Sequence, residues 1–200
     1  MMRSMFIPHF NPQDPSAMLH CAVFISLVCC TVAASTSTSK TVKKYHVVHE
    51  AVEVIRNRPE FPYRMAIRKF NKTMPVMDAD FWILSPKVNS YQMWVEGFER
   101  LGMDHVYTKS AVSLAFPFCD FLAGKFIFNR GFKDFGTLPT SCPFKPGNYS
   151  LRNWIIEDKY LPPLIPGKYW RLDFYLGPVG TPIHSDGTGK FSYYCKIVYE

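Results

Sequence analysis

The chain has 200 residues, of which 48% are hydrophobic and 16% are aromatic, and its formal net charge is +7 at pH 7. This length suits one well-buried domain, and the composition excludes a disordered or repetitive polymer. A basic chain is attracted to anionic membranes or acidic partners, but the Lys and Arg residues are scattered rather than clustered, so we expect no nucleic-acid partner.

Residues 1–34 are predicted to be an export signal. Cys21–Ala34 is an uncharged stretch, and Val32-Ala33-Ala34 offers the small residues that signal peptidase requires. The alternative is a membrane anchor, although the apolar run over 17–34 barely reaches the roughly 20 residues of a spanning helix. We therefore expect a secreted, extracellular protein that begins with a flexible Ser/Thr-rich leader over 35–43.

Segments rich in β-branched and aromatic residues recur after this leader, which predicts several antiparallel strands. These segments are 44–56, 64–71, 79–84, 88–100, 147–157, 168–176 and 190–199. Side chains alternate between apolar and polar in the last two segments, and the turn-forming residues 185–189 lie between them. We predict that these two segments form a hairpin.

Only the stretch 110–129 suggests a helix, and Pro117 and Gly124 limit it to a turn or two on either side. The chain also contains 16 prolines and 11 glycines, which suit many short strands joined by tight connections. The pattern therefore predicts one all-β domain over 44–200, an antiparallel, immunoglobulin-like β-sandwich with one short helical or loop segment near 113–135.

Two triplets match the acceptor pattern for N-linked glycans, Asn71-Lys72-Thr73 and Asn148-Tyr149-Ser150. Such sites lie at exposed positions of exported proteins. Asn71 and Asn148 are therefore candidate glycosylation sites, although chance also yields such triplets.

Three cysteines remain once the signal is removed: Cys119, Cys142 and Cys195. Pairing is expected in an oxidising compartment. We favour a bond between Cys119 and Cys142, because it would close a loop of 22 residues and contribute roughly 3 kcal/mol through loop-closure entropy. Cys195 would then be buried and free, or it would form an intermolecular bridge.

Catalytic and metal-binding patterns are weak. His46 and His49 face opposite ways on a strand and cannot share a metal ion. His184, Ser185 and Asp186 are adjacent on a turn, where they cannot adopt the geometry of a catalytic triad. We find no pattern of paired buried carboxylates, so we predict a protein that is not an enzyme and has no catalytic residues, metal or cofactor.

One block near the C-terminus resembles a known family. Residues 142–153, followed by 162–174, join a cysteine to two strands that begin with Gly and Pro. These strands and their spacing resemble a large insect family of secreted domains of unknown function, which includes the chemosensory CheB proteins. That family is similar in turn to the ML lipid-recognition domains, such as the ganglioside activator. The resemblance extends from about residue 80 to the end of the chain.

This resemblance implies an ML-type sandwich that is splayed open, so that a cavity between its sheets admits an acyl chain or a sterol. It also implies a role in chemical sensing, such as pheromone response, together with a membrane receptor or channel. ML-like relatives often tie a C-terminal cysteine to one near the N-terminus. This chain has no cysteine between residues 34 and 119.

Phenylalanines crowd the segment 116–144 around the proposed disulfide. Hydration of so many rings on a connection would be costly, so this segment must cover something. The rings either plug one end of the sandwich or line the mouth of a ligand cavity. The cavity candidates are Phe116, Phe121, Phe126, Phe128, Trp170, Phe174, Phe191 and Tyr193.

The sequence thus predicts a secreted binding protein that sequesters a lipid or other hydrophobic chemosensory ligand in an inter-sheet cavity and acts with a membrane receptor or channel. The alternative is a solid extracellular structural or interaction module that works through its basic surface and Cys195.

Overall fold

The computed structural model describes residues 44–102, 105–126 and 129–200. The predicted signal (1–34), the predicted leader (35–43) and the cavity candidate Phe128 lie outside these ranges. The strands are β1 (Tyr45–Arg56), β2 (Tyr63–Lys69), β3 (Pro75–Ile83), β4 (Tyr91–Arg100), β5 (Tyr107–Pro117), β6 (Gly147–Trp154), β7 (Tyr169–Pro178) and β8 (Gly189–Tyr199). Helix α1 spans Phe118–Leu122, and short 3-10 helices span Pro86–Ser90, Phe132–Asp134 and Asp158–Tyr160.

The strands form two antiparallel sheets. The larger sheet has the order β1-β8-β7-β4-β5, and the smaller sheet has the order β2-β3-β6. The predicted all-β sandwich is therefore confirmed. The predicted hairpin is confirmed as well, since β7 pairs with β8 and Phe174 lies opposite Phe191.

The helical interpretation of the stretch 110–129 was wrong for its first half. Residues up to Pro117 belong to β5, which pairs with β4 so that Leu114 lies opposite Val95. Val112, Leu114 and Phe116 alternate with small residues, which is the two-residue period of a strand. Only Phe118–Leu122 is α-helical.

Aromatic side chains fill the space between the sheets. Tyr63 of β2 meets Phe191 of β8 with ring centroids 5.7 Å apart. Phe118 of α1 packs edge-on against Phe61 at 4.7 Å, and Phe121 contacts Phe174 at 5.9 Å. The phenylalanine-rich connection therefore packs into the core, where aromatic pairs add stability beyond the area that they bury.

A disulfide and an asparagine side chain fix this connection. Cys119 is bonded to Cys142, as predicted, and their Cα atoms are 5.9 Å apart. The Asn89 side chain accepts a hydrogen bond from the Phe144 amide (2.7 Å) and donates one to the Phe144 carbonyl (3.0 Å). Cys195 is free and buried.

The outer edge of β6 is covered by a short extended segment. The Thr137 amide donates to the Ser150 carbonyl (2.9 Å), and the Arg152 amide donates to the Phe135 carbonyl (2.7 Å). Gly136 lies between these bonds, where a Cβ atom would stand 1.9 Å from the Ser150 carbonyl oxygen. This close approach requires glycine.

Among the described residues, no helix has the length and apolarity that crossing a membrane requires.

Candidate functional site

An apolar cavity of about 220 Å³ borders the inner face of the larger sheet. All five strands of that sheet contribute to its wall. The described residues that line it are Val47, Val95, Val112, Leu114, Phe126, Ile156, Pro162, Leu164, Ile165, Pro166, Trp170, Leu172, Tyr193, Cys195 and Ile197. None of these is Asp, Glu, Lys, Arg or His, so the cavity suits an uncharged, apolar guest.

The alternation of side chains along the strands places these residues on one face. Trp170 and Leu172 are two apart on β7, and Tyr193, Cys195 and Ile197 follow the same spacing on β8. Successive side chains of a strand point to opposite faces, so residues two apart line the same wall. This spacing was visible in the sequence and underlies the prediction for Trp170 and Tyr193.

A proline-rich strap, residues 161–166, closes much of the cavity on the side facing away from the sheet. Three aromatic side chains hold its carbonyl groups. The Trp170 indole N–H donates to the Pro166 carbonyl at 2.8 Å. The hydroxyl groups of Tyr45 and Tyr199 donate to the carbonyls of Pro162 and Ile165.

Two leucines mark the opening of the cavity. Leu114 on β5 is 43% exposed and Leu164 on the strap is 61% exposed, although both line the cavity. By contrast, Val95 and Leu172 at the wall are buried, at 1% and 7% exposure. The exposed part of the lining, which also includes Pro166, thus comes from the edge strand β5 and from the strap.

His49 of β1 is buried behind the cavity wall. Its Nε2 atom lies 3.0 Å from the Trp154 carbonyl oxygen, and a carbonyl only accepts, so Nε2 carries the proton. Nδ1 therefore accepts a hydrogen bond from the Tyr193 hydroxyl, at 2.7 Å. Burial lowers the pKa of His49 to about 4, against the opposing effect of the Trp154 bond, so the ring is neutral at pH 7.

The polar groups at the cavity wall thus already have partners within the protein. Tyr193 donates its proton to His49, and Trp170 donates its proton to Pro166. Burial also raises the pKa of the Cys195 thiol to about 12, which keeps it protonated and a poor nucleophile. The wall offers a guest shape and apolar surface rather than reactive groups.

Of the seven predicted cavity candidates that the structure describes, three line the cavity, one packs on a lining residue and three lie in the core. Phe126, Trp170 and Tyr193 line the cavity. Phe116 stacks on Phe126, with centroids 4.6 Å apart, and lies behind it. Three further candidates are core residues instead, because Phe174 and Phe191 stack at 4.5 Å and Phe121 contacts Phe174. The candidates in the core are Phe121, Phe174 and Phe191.

The position of the cavity also differs from the prediction. Its described lining comes from the larger sheet, from Phe126 and from residues 156–166, and includes no residue of β2, β3 or β6. It therefore lies beside the inter-sheet core rather than within it. The strap was not predicted to cover the cavity, although the cluster of prolines at 162–166 indicates a connection that cannot continue a sheet.

Two buried carboxylates occur on the opposite, outer face of the larger sheet, so the expectation that the chain has no paired buried carboxylates was wrong. Glu96 and Asp173 are cross-strand neighbours. Lys109 lies 2.6 Å from Glu96, while the Ser192 hydroxyl donates to Asp173 at 2.8 Å and Arg171 lies 3.1 Å from it. These partners compensate both buried charges.

The remaining sequence candidates lie apart from the cavity. Asn71 and Asn148 are exposed, as a glycan acceptor must be. His184 is exposed near the β7–β8 turn, with Nε2 3.7 Å from Glu96. Within the described residues, no group of three or more His, Cys, Asp or Glu side chains could hold a metal ion.

Part of the chain matches a known family model. No curated protein matches the chain. Residues 98–172 match the family model described as "Protein of unknown function (DUF1091)". This match runs from the end of β4 into β7, and ten of the fifteen lining residues named above, Val112 to Leu172, fall within it. Residues 98–172 of this chain are thus similar to an uncharacterised family, and the matched segment includes the disulfide, the strap and most of the cavity wall.

Proposed function

We propose that this chain is an exported, non-enzymatic protein that sequesters a hydrophobic small molecule or a lipid in the cavity beneath the proline-rich strap. The observation that carries the proposal is the apolar wall contributed by all five strands of the larger sheet. A guest would leave water without covalent change, stabilised by about 25 cal/mol for each Å² of apolar surface buried.

The lining supports binding rather than catalysis. The polar side chains at the wall are bonded within the protein, and the buried carboxylates Glu96 and Asp173 lie on the opposite face of the sheet. A catalytic site requires groups that can reach a reacting atom. The cavity wall presents none among the residues described.

The biological role in the proposal comes from the family resemblance. The similarity to CheB-like and ML domains suggests a chemosensory ligand, such as a pheromone-like molecule, that is carried to a membrane receptor or channel. The match of residues 98–172 to an uncharacterised family is compatible with this role and adds no activity of its own.

Export is the second part of the proposal. The Cys119–Cys142 bond suits an oxidising compartment, and we propose that residues 1–34 are removed on secretion. Mass spectrometry of the protein from the medium of expressing cells should show a mature N-terminus near residue 35 and glycans on Asn71 or Asn148. A chain retained in the cells with residues 1–34 intact would contradict this part.

A fluorescence titration tests the binding function. The probe N-phenyl-1-naphthylamine, which brightens in apolar surroundings, should bind the wild-type protein at one site. Its phenyl ring would lie in the cavity and its larger naphthyl ring at the exposed side, beside Leu114 and Leu164. Val112→Phe places a ring in the cavity and should weaken binding at least about tenfold, or about 1.4 kcal/mol. Ala111→Phe adds the same ring at the neighbouring exposed position, outside the described lining, and should leave binding unchanged.

The opposite outcome would favour the alternative function. If the probe does not bind, or if both variants bind it as the wild type does, the cavity has no role and the solid interaction module is the better interpretation. Lipid extraction from the purified secreted protein, followed by mass spectrometry, gives an independent readout. A stoichiometric hydrophobic molecule would support the carrier function.

A further inference from the structure

We infer that the cavity encloses only a short apolar chain of about seven carbon atoms, with its apolar end inside and its polar end at the opening between Leu114 and Leu164. This inference rests on the proposed function and narrows the class of ligand to uncharged, medium-sized molecules or to the end of a longer chain.

The cavity volume sets the length. One water-sized group occupies about 30 Å³ in a liquid, and the cavity holds about 220 Å³. The cavity therefore has room for about seven such groups, and a methylene group is of similar size. A long acyl chain or a sterol therefore exceeds the enclosed space and would have to extend past the opening.

The wall sets the direction in which the molecule lies. The Trp170 N–H and the Tyr193 O–H are bonded to Pro166 and His49, so a hydroxyl or carboxylate at the closed end would lose its hydration without gaining a partner from these two groups. Burying an unpaired polar group costs free energy, and burying an unpaired charge costs much more. The polar end should therefore remain at the solvent side.

The exposed leucines show where that solvent side is. Leu114 and Leu164 are the cavity-lining leucines that are strongly exposed, and Leu172 is buried. No further strand pairs with the outer edge of β5 in the described fold. A longer molecule can therefore extend between β5 and the strap.

A homologous series of primary alcohols tests the length. Displacement of N-phenyl-1-naphthylamine by 1-butanol through 1-dodecanol should show affinity rising about fourfold for each methylene up to about heptanol or octanol. The gain should then fall below twofold for each carbon. A steady rise through dodecanol would overturn the inference while leaving the binding function intact.

Two further probes test the direction. 1,8-Octanediol must place a hydroxyl at the closed end, so it should bind at least about tenfold more weakly than 1-octanol. Octanoate should bind, since its carboxylate can stay at the opening. Equal affinities for the diol and the alcohol would refute the orientation.

Cavity variants separate this inference from the proposed function. The break in the series is the alcohol length at which the gain in affinity for each carbon falls. Val112→Phe should move this break to shorter alcohols, and Leu172→Ala, if it folds, should move it to longer ones. Ala111→Phe should leave the break in place. If neither the probe nor any alcohol binds the wild-type protein, the proposed function itself fails. If they bind but the break is absent or does not move, only the length inference fails.

Discussion

Acidification should destabilise this protein through His49, which is buried as a neutral ring between Trp154 and Tyr193. Burial lowers its pKa in the folded state to about 4, compared with 6.5 for an exposed histidine. As the pH falls below 6.5, the unfolded chain takes up a proton that the folded chain does not, so the equilibrium shifts towards unfolding. This loss of folding stability is complete once the pH has fallen through 4.

The expected magnitude follows from the two pKa values. Their difference of about 2.5, at about 1.4 kcal/mol for each pKa unit, gives about 3 kcal/mol. A typical domain has a free energy of unfolding of about 10 kcal/mol, so this loss is a large part of the total. The folded protein should therefore be markedly less resistant to denaturant at pH 4 than at pH 7.

Urea denaturation of the wild type and of His49→Gln, measured between pH 7 and pH 4, isolates this contribution. Glutamine can donate to the Trp154 carbonyl and accept from Tyr193, yet it does not titrate. The carboxylates titrate in both proteins and cancel in the comparison. The wild type should lose about 3 kcal/mol relative to the variant across this range, and parallel pH profiles for the two proteins would refute the reasoning.

Three further outcomes are expected. The Cys195 thiol should resist Ellman's reagent in the folded protein and react fully in denaturant, because burial raises its pKa to about 12; rapid reaction under native conditions would show an accessible thiol. Gly136→Ala should lower the melting temperature, because its Cβ would meet the Ser150 carbonyl oxygen at 1.9 Å, and an unchanged melting curve would show that this contact relaxes freely. Replacing both Cys119 and Cys142 by alanine should cost about 3 kcal/mol of stability in chemical denaturation, whereas a loss near zero would mean that the loop is ordered without its bond.

Local patterns in the sequence were sufficient to predict much of the fold. The alternating residues of β7 and β8 and the turn between them predicted a hairpin, because side-chain period and turn chemistry are local properties. The same period was present at Val112, Leu114 and Phe116, but the nearby Pro117 and the phenylalanines beyond it obscured this strand. The two-residue spacing of Val112, Leu114 and Phe116 is the signal that distinguishes this strand from a helix.

The cavity could also be predicted only in part, and the reason differs from the one that applies to β5. Alternation identifies which face of a strand is apolar, so Trp170 and Tyr193 could be named, but it does not show which connection covers that face. Phe174 lies two residues beyond Leu172 on the same face, yet it packs in the core against Phe191. Contacts between residues distant in the chain decide between the two environments.

The sequence by itself determined the apolar faces of β7 and β8 and their hairpin, because these depend on local period and turn chemistry. It favoured the pairing of Cys119 with Cys142 among the three cysteines and did not reveal strand β5. Only the tertiary structure decided that the phenylalanine-rich connection fills the core and that the proline-rich strap covers the cavity. The physical reason is that both segments are apolar and irregular, so their own residues do not fix where they pack. Each segment covers apolar sheet surface that the rest of the chain leaves exposed.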